Sequence, residues 1–331
     1  MNSPDFLKNI IEAELRNPGY MGFNSKPAEL YEPIRYMLSL GGKRLRPALL
    51  LMSTELFGGD YLKALSPALA IEVFHNFSLL HDDIMDKAPL RRSQPTVHRK
   101  WNADIAILSG DAMLVKSYQL MMNVDESCLR KVLTLFSAAA VEVCEGQQLD
   151  MNFESRTYGI TIDDYLHMIS LKTSVLLAAA LKIGAIIANA SDADAEHIYS
   201  FGKNIGIAFQ LQDDILDVYA DSGKFGKQTG GDIVCNKKTF LLLKALELAK
   251  GETAKELHVW LEKNPTNQKS EEEKVFSVKE IYSNLGVKEL AEKEMNRFYE
   301  MAISELEKIN VEDERKKYIK SFADQLMVRE H

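Results

Sequence analysis

Apolar residues recur at spacings of three and four along almost the whole chain, and no segment alternates with the two-residue period of a half-buried strand. Such a chain can bury its apolar faces only helix against helix. The pattern predicts helices at roughly 3–16, 26–40, 44–57, 62–87, 102–123, 127–152, 162–190, 192–220, 235–250, 252–263, 275–308 and 312–328. Asp125 and Asp192 stand where caps belong. The polar run 264–273 (NPTNQKSEEE) reads as an exposed loop. Neither a Pro/Ser-rich linker nor an internal repeat divides the chain. The expectation is an all-α protein, a single large helical bundle with residues 1–331 as one domain.

Composition narrows the function. Lys and Arg number 40 against 48 Asp and Glu, a net charge of −8, so duplex nucleic acid is not an expected partner. An anionic ligand must be held by local cations or by metal. The three cysteines, Cys128, Cys144 and Cys235, share no metal-binding spacing and read as reduced thiols of a cytoplasmic protein. The N-terminus carries acids where a signal peptide would carry a basic and then an apolar run. The most apolar stretch, 174–190, is interrupted by Lys182 and is short for a span of about 20 residues, so no integral membrane segment is expected.

Two acidic motifs stand out. Asp82-Asp83-Ile84-Met85-Asp86 follows a long apolar run, and Asp213-Asp214-Ile215-Leu216-Asp217 repeats the DDxxD pattern in a second apolar run. On a helix the first and last carboxylates of each motif share a face. Three carboxylates in one turn repel unless a cation relieves them, and hard oxygen donors favour Mg²⁺ or Mn²⁺. One such motif is commonly a solvated acidic face. Two, facing each other across a bundle, could hold several divalent ions on a polyphosphate. Cations cluster beside them: Lys43, Arg44 and Arg46 in GGKRLRP, Arg91-Arg92, Lys227, and Lys237-Lys238. Arg forks and Lys point charges are the usual ligands of phosphate oxygens.

With these residues in place, the chain resembles the trans-isoprenyl diphosphate synthases of the polyprenyl synthetase family. The matching segments come in family order: GGKRLRP at 41–47, LLHDDIMD at 79–86 with Arg91-Arg92, GQQLD at 146–150, Lys172-Thr173, FQLQDDILD at 209–217 and GKQTGGDIVCNKKT at 226–239. The resemblance implies an all-α fold around a deep central cavity, a homodimer, and three bound Mg²⁺ ions. It matches Lys43, Arg46, His75 and Arg92 to positions that bind isopentenyl diphosphate. Arg91, Lys172, Thr173, Gln210, Lys227 and Lys237 match positions around the allylic diphosphate. Asp82, Asp86 and Asp213 match the principal metal ligands, with Asp83 and Asp217 supporting, and Asp214 is counted with them among the catalytic residues. Cys235-Asn236 before Lys237 departs from the glycine of many members.

The implied reaction ionises the allylic diphosphate and adds the double bond of isopentenyl diphosphate to the cation. A proton then passes to the departing pyrophosphate, so no side-chain base is required. Water must be kept out. Thr173 and Gln210 can stabilise the cation by their dipoles, while His81 and His98 read as structural. A terpene cyclase or a head-to-head synthase fits less well, because GGKRLRP argues for a second diphosphate substrate. A silent regulatory subunit remains the alternative from another class. Product length is read from Phe77 and Ser78, five and four residues before Asp82 and about 6–7.5 Å back along the helix. An aromatic floor beside a small residue resembles geranylgeranyl diphosphate synthases. Twenty carbons is therefore expected, with a farnesyl product as the alternative.

Overall fold

The computed structural model describes residues 2–17, 19, 21–156, 159–220, 230–263 and 265–327. Helices dominate it, as expected: α1 (Pro4–Leu15), α2 (Ala28–Ser39), α3 (Leu45–Leu56), α4 (Tyr61–Met85), α5 (Val97–Lys100), α6 (Ala103–Met121), α7 (Glu126–Glu154), α8 (Ile162–Ile169), α9 (Val175–Ile187) and α10 (Asp192–Tyr219). Further helices span Gly231–Val234, Phe240–Leu248, Gly251–Glu262, Gln268–Asn284, Val287–Glu307 and Asp313–Met327. The residues group into two compact units, one of Met1–Ala140, Leu176–Tyr199 and Leu306–Lys320, the other of Val141–Val175, Ser200–Glu305 and Ser321–His331.

In the first unit α4 lies between α3 and α6 and is buried on nearly every side, including Leu69, Ile71, Val73, Phe74 and Leu80. Small residues allow close approaches. A Cβ on Gly110 of α6 would fall 2.2 Å from the His81 ring, and one on Gly184 of α9 would fall 2.3 Å from the Leu50 carbonyl. Ser53 of α3 donates to the Leu181 carbonyl at 2.6 Å. Among the described residues, strand pairing is confined to a short ribbon of two two-residue strands, β1 (Leu90–Arg91) with β2 (Gln94–Pro95), turned by Arg92 and Ser93 at positive φ. Tyr36 and Thr96 pin it by bonds to the Pro95 and Ala88 carbonyls, both 2.7 Å.

The second unit packs Tyr165, Met168, Leu211, Ile215, Phe240, Leu241 and Ile281 into one apolar cluster. Between α8 and α9 the helix widens into a π turn at Ser170–Ser174. Two glycines make room for that turn: a Cβ on Gly146 would lie 2.3 Å from the Lys172 nitrogen, and one on Gly206 would lie 2.7 Å from the Ser174 Cα.

Four expectations need correction. The helix expected over 235–250 begins only at Phe240, where the Thr239 side chain accepts from the Leu242 N–H, and Gly231–Val234 forms a separate short helix before it. The polar run is not a loop throughout: a helix begins at Gln268, where the Asn267 side chain accepts from the Ser270 N–H at 3.0 Å. The helix expected over 275–308 breaks at Leu285-Gly286, where Gly286 adopts φ 64°, open to glycine at little cost. Ser191, not Asp192, accepts from the Asp194 N–H at 3.1 Å at the start of α10. The continuous helical run Ile162–Ile187 is long and apolar enough to cross a membrane by length and composition, and 72% of its 18-residue apolar stretch is buried within the protein.

Candidate active site

The last turn of α4 carries the first acidic motif. Burial along α4 turns one flank inward, and successive residues lie 100° apart, so Asp82 and Asp86 share a face while Asp83 turns toward the interior. Asp83 is only 2% exposed, and Arg91 grips it from the ribbon: Nε lies 2.8 and 2.9 Å from its two oxygens and Nη2 lies 2.7 Å from Oδ1. Burial raises the Asp83 carboxyl above its ordinary range even with the guanidinium upon it. The Arg91 Nη2 also approaches Asp82 at 3.7 Å. Asp82 is partly exposed and Asp86, the helix C-cap, is exposed.

The cations of GGKRLRP divide by role. Lys43 is exposed. Arg44 is 3% exposed and bonds Glu12 at 2.7 Å, Glu72 at 2.5 Å and the Leu38 carbonyl at 2.8 Å. It is therefore an anchor that seats α1 and α4 against the loop. Arg46 Nη1 lies 3.4 Å from His75 Nε2. His75 is held well below its ordinary range by burial and then by Arg46, Arg92, Arg91 and Arg44. Arg92 lies against Gly42, where a Cβ would come 2.8 Å from Nη2; Gly42 thus keeps the place of the guanidinium. Burial, together with Arg44 and Arg91, lowers the Arg92 pKa. Lys43, Arg46, His75 and Arg92 thus belong to one unit, three of them with interlocking charges.

Further back on α4, Phe77 is 8% exposed, with its ring 5.5 Å from Phe74 and 4.8 Å from His81. Ser78 is half-buried and donates to the His75 carbonyl at 2.8 Å. His81 faces the Ile107 carbonyl at 3.2 Å, in keeping with a structural role.

The second unit carries the other motif on α10. Asp213 and Asp217 are partly exposed, and Asp214 is 3% exposed. The same division into outer and inward carboxylates therefore recurs. Tyr165 donates its hydroxyl to Asp214 Oδ2 at 2.5 Å, and Gln210 Nε2 donates to Oδ1 at 3.0 Å. Burial and the nearby Asp232 charge push Asp214 up to about 7. Thr173 in the π turn donates to Gln210 Oε1 at 3.1 Å. Lys172 pairs with Asp150 at 2.6 Å, so GQQLD supplies both the glycine that admits the π turn and the acid that holds its lysine. Asp217 accepts from the Asp232 N–H at 3.0 Å, and Asp232 lies 3.6 Å from Lys237. Lys227 lies outside the described residues.

Among the described residues, no three His, Cys, Asp or Glu side chains converge into a metal cage. The outer pairs offer hard oxygen donors only. That donor set fits magnesium, which takes one or two carboxylates and completes its shell with water and phosphate oxygens. The residues missed by sequence reasoning are those that hold others in place: Glu12, Glu72, Asp150, Tyr165 and Asp232. Asp150 and Asp232 lay within recognised motifs, and the rest carried no signal beyond being acids or an aromatic on an apolar face.

The polyprenyl synthetase family model matches residues 27–279. A geranylgeranyl diphosphate synthase of Methanosarcina mazei is 44% identical over 225 residues, 67% of this chain and 69% of that protein. A short chain isoprenyl diphosphate synthase of Methanothermobacter thermautotrophicus is 37% identical over 306 residues, 92% of each. A crystal structure of a geranylgeranyl pyrophosphate synthase superposes with a TM-score of 0.93 at 43% identity, covering 99% of both chains.

Proposed function

The chain belongs to the polyprenyl synthetase family and is a short-chain trans-prenyltransferase, and from that premise we propose that it joins isopentenyl diphosphate head-to-tail to an allylic diphosphate to make geranylgeranyl diphosphate. The observation that carries the reading is the shared form of the two motifs, each with two outer carboxylates one turn apart and a middle one locked inward. Asp82 and Asp86 in one unit, and Asp213 and Asp217 in the other, supply oxygen donors for magnesium diphosphate. When bound, magnesium stabilises the charge that gathers on the leaving pyrophosphate. Lys172, Lys227, Lys237 and Arg91 hold that diphosphate as its C–O bond breaks. Lys43, Arg46, His75 and Arg92 hold isopentenyl diphosphate, and the crowding of guanidinium groups around His75 supports an anion site there. Thr173 and Gln210 turn dipoles to the allylic cation. A C–C bond forms, and the proton lost from isopentenyl carbon passes to pyrophosphate.

The twenty-carbon product rests on the relatives' names and on the Phe77 ring beside Ser78. The reading takes the chain as one polyprenyl synthetase domain that acts in the cytoplasm with its three thiols unpaired. A homodimer is supported by the exposed apolar residues Ile107, Leu108 and Val115 on α6. The test incubates the purified protein with magnesium, isopentenyl diphosphate and an allylic diphosphate. Pyrophosphate release with a twenty-carbon alcohol after dephosphorylation is expected. No release would favour a silent subunit, and a fifteen-carbon alcohol would favour a farnesyl synthase.

A further inference from the structure

In α10 the two acceptors of Asp214 are both occupied, one by Tyr165 and one by Gln210. The carboxylate thus takes part in a directed chain that runs from Tyr165 through Asp214 and Gln210 to Thr173. Direction follows from chemistry. An ionised carboxylate only accepts, so the Gln210 amide must turn its NH₂ toward Asp214. Its carbonyl then faces Thr173 and takes the hydroxyl proton. A hydroxyl with its proton committed can offer only lone pairs in its other directions. Those are the negative ends of dipoles, the polarity that stabilises a developing carbocation.

We propose that Tyr165 and Asp214 are positioning residues that set the hydrogen-bond polarity of Gln210 and Thr173. The inference rests on the reading of Thr173 and Gln210 as the groups that face the allylic cation. Asp214 is 3% exposed and Tyr165 2%, so neither is presented as a ligand. The surroundings are built to hold this chain still. Gly146 and Gly206 let the π turn carrying Thr173 seat without a clash, and Tyr165 sits one helix turn and more upstream, in the apolar cluster. Replacing Asp214 by Asn would leave the volume unchanged but reverse the polarity. With Tyr165 still donating to the Asn oxygen, the Asn NH₂ would face Gln210 and demand its carbonyl. Gln210 would then donate to Thr173, and the Thr173 proton would be released to point elsewhere.

The experiment is a double-mutant cycle in the full-length enzyme with saturating magnesium, using Tyr165→Phe, Asp214→Asn and Thr173→Val. Each single change is expected to lower kcat by about tenfold or more with the allylic KM within about twofold, the loss of one charge-assisted bond felt in the transition state. In the Thr173→Val background, Tyr165→Phe and Asp214→Asn should each cost clearly less than they do alone, because the hydroxyl whose polarity they set is gone and only the Gln210 dipole is left to be turned. Unfolding midpoints are read alongside. If Asp214→Asn does not fold, Tyr165→Phe alone completes the cycle. Losses that multiply in the double variants, or that appear only in the unfolding midpoint, would overturn the positioning role. An unchanged kcat in Thr173→Val would instead overturn the assignment of Thr173 itself, and is distinguishable because it needs neither of the other substitutions.

Discussion

Replacing Arg44 by Met tests whether this cation binds substrate or holds the fold. The side chain is fully buried and loses three bonds, to Glu12, Glu72 and the Leu38 carbonyl. Glu12 is 22% exposed and can return to water, so its share is small. Glu72, 3% exposed, keeps the Asn76 amide at 2.9 Å and loses the one guanidinium bonded directly to it among the described residues. A buried carboxylate stripped of its cation costs about 3–5 kcal/mol, and this dominates the loss. Urea unfolding followed by far-UV circular dichroism reads it. Glu72→Gln should then change sign with background. It destabilises the wild type by removing the buried ion pair, but stabilises the Arg44→Met variant by removing the stranded charge. The exposed neighbour supplies the contrast: Lys43→Ala should alter stability by less than about 0.5 kcal/mol while raising the KM for isopentenyl diphosphate. An Arg44→Met variant within about 1 kcal/mol of wild type, or a Glu72→Gln effect of one sign in both backgrounds, would refute the reasoning.

Asp82→Ala or Asp213→Ala should lower turnover by about a hundredfold or more with an unchanged circular dichroism spectrum, and near-normal rates at limiting magnesium would sink the metal assignment. Phe77→Ala should lengthen the product by at least one isoprene unit and Ser78→Phe should shorten it, read by chromatography of the dephosphorylated alcohols; unchanged products in both would place the floor elsewhere. His75 gives a stability prediction. Its folded pKa is depressed, so the native state binds the proton less readily than the unfolded chain. The stability it contributes is complete above the unfolded pKa near 6.5 and is lost as pH falls below it, by up to about 1.4 kcal/mol per unit. His75→Gln should flatten the fall of unfolding free energy between about pH 6.5 and 5, and an unaltered slope would contradict the depressed pKa.

The helices and the two aspartate motifs were legible because both are local. Three- and four-residue apolar spacing marks a buried face, and the 100° step already implies that Asp82 and Asp86 part company with Asp83. What was not legible depends on residues far apart in the chain. Nothing in sequence ties Arg44 to Glu72, Lys172 to Asp150, or Tyr165 to Asp214. The ribbon escaped notice because Arg92-Ser93 takes positive φ without the Asn-Gly pair that usually signals such a turn. The helix from Gln268 was hidden because its first turns are polar on every side, as a surface helix can be. Its cap, Asn267 with Ser270, was present but lacks the Glu or Gln that makes the pattern conspicuous.

The inward aspartates also bear on charge. Three carboxylates in one helical turn would amount to −3 facing one divalent ion. In the first motif the Arg91 guanidinium cancels the middle charge, leaving two negative charges for an ion of charge +2. In the second, the neutral Tyr165 hydroxyl and Gln210 amide donate to the middle carboxylate, with no guanidinium clasping it among the described residues. The same DDxxD pattern is therefore balanced by a fixed counter-ion in one copy and by a pair of neutral hydrogen-bond donors in the other, so the two copies present different net charges to whatever cation they hold.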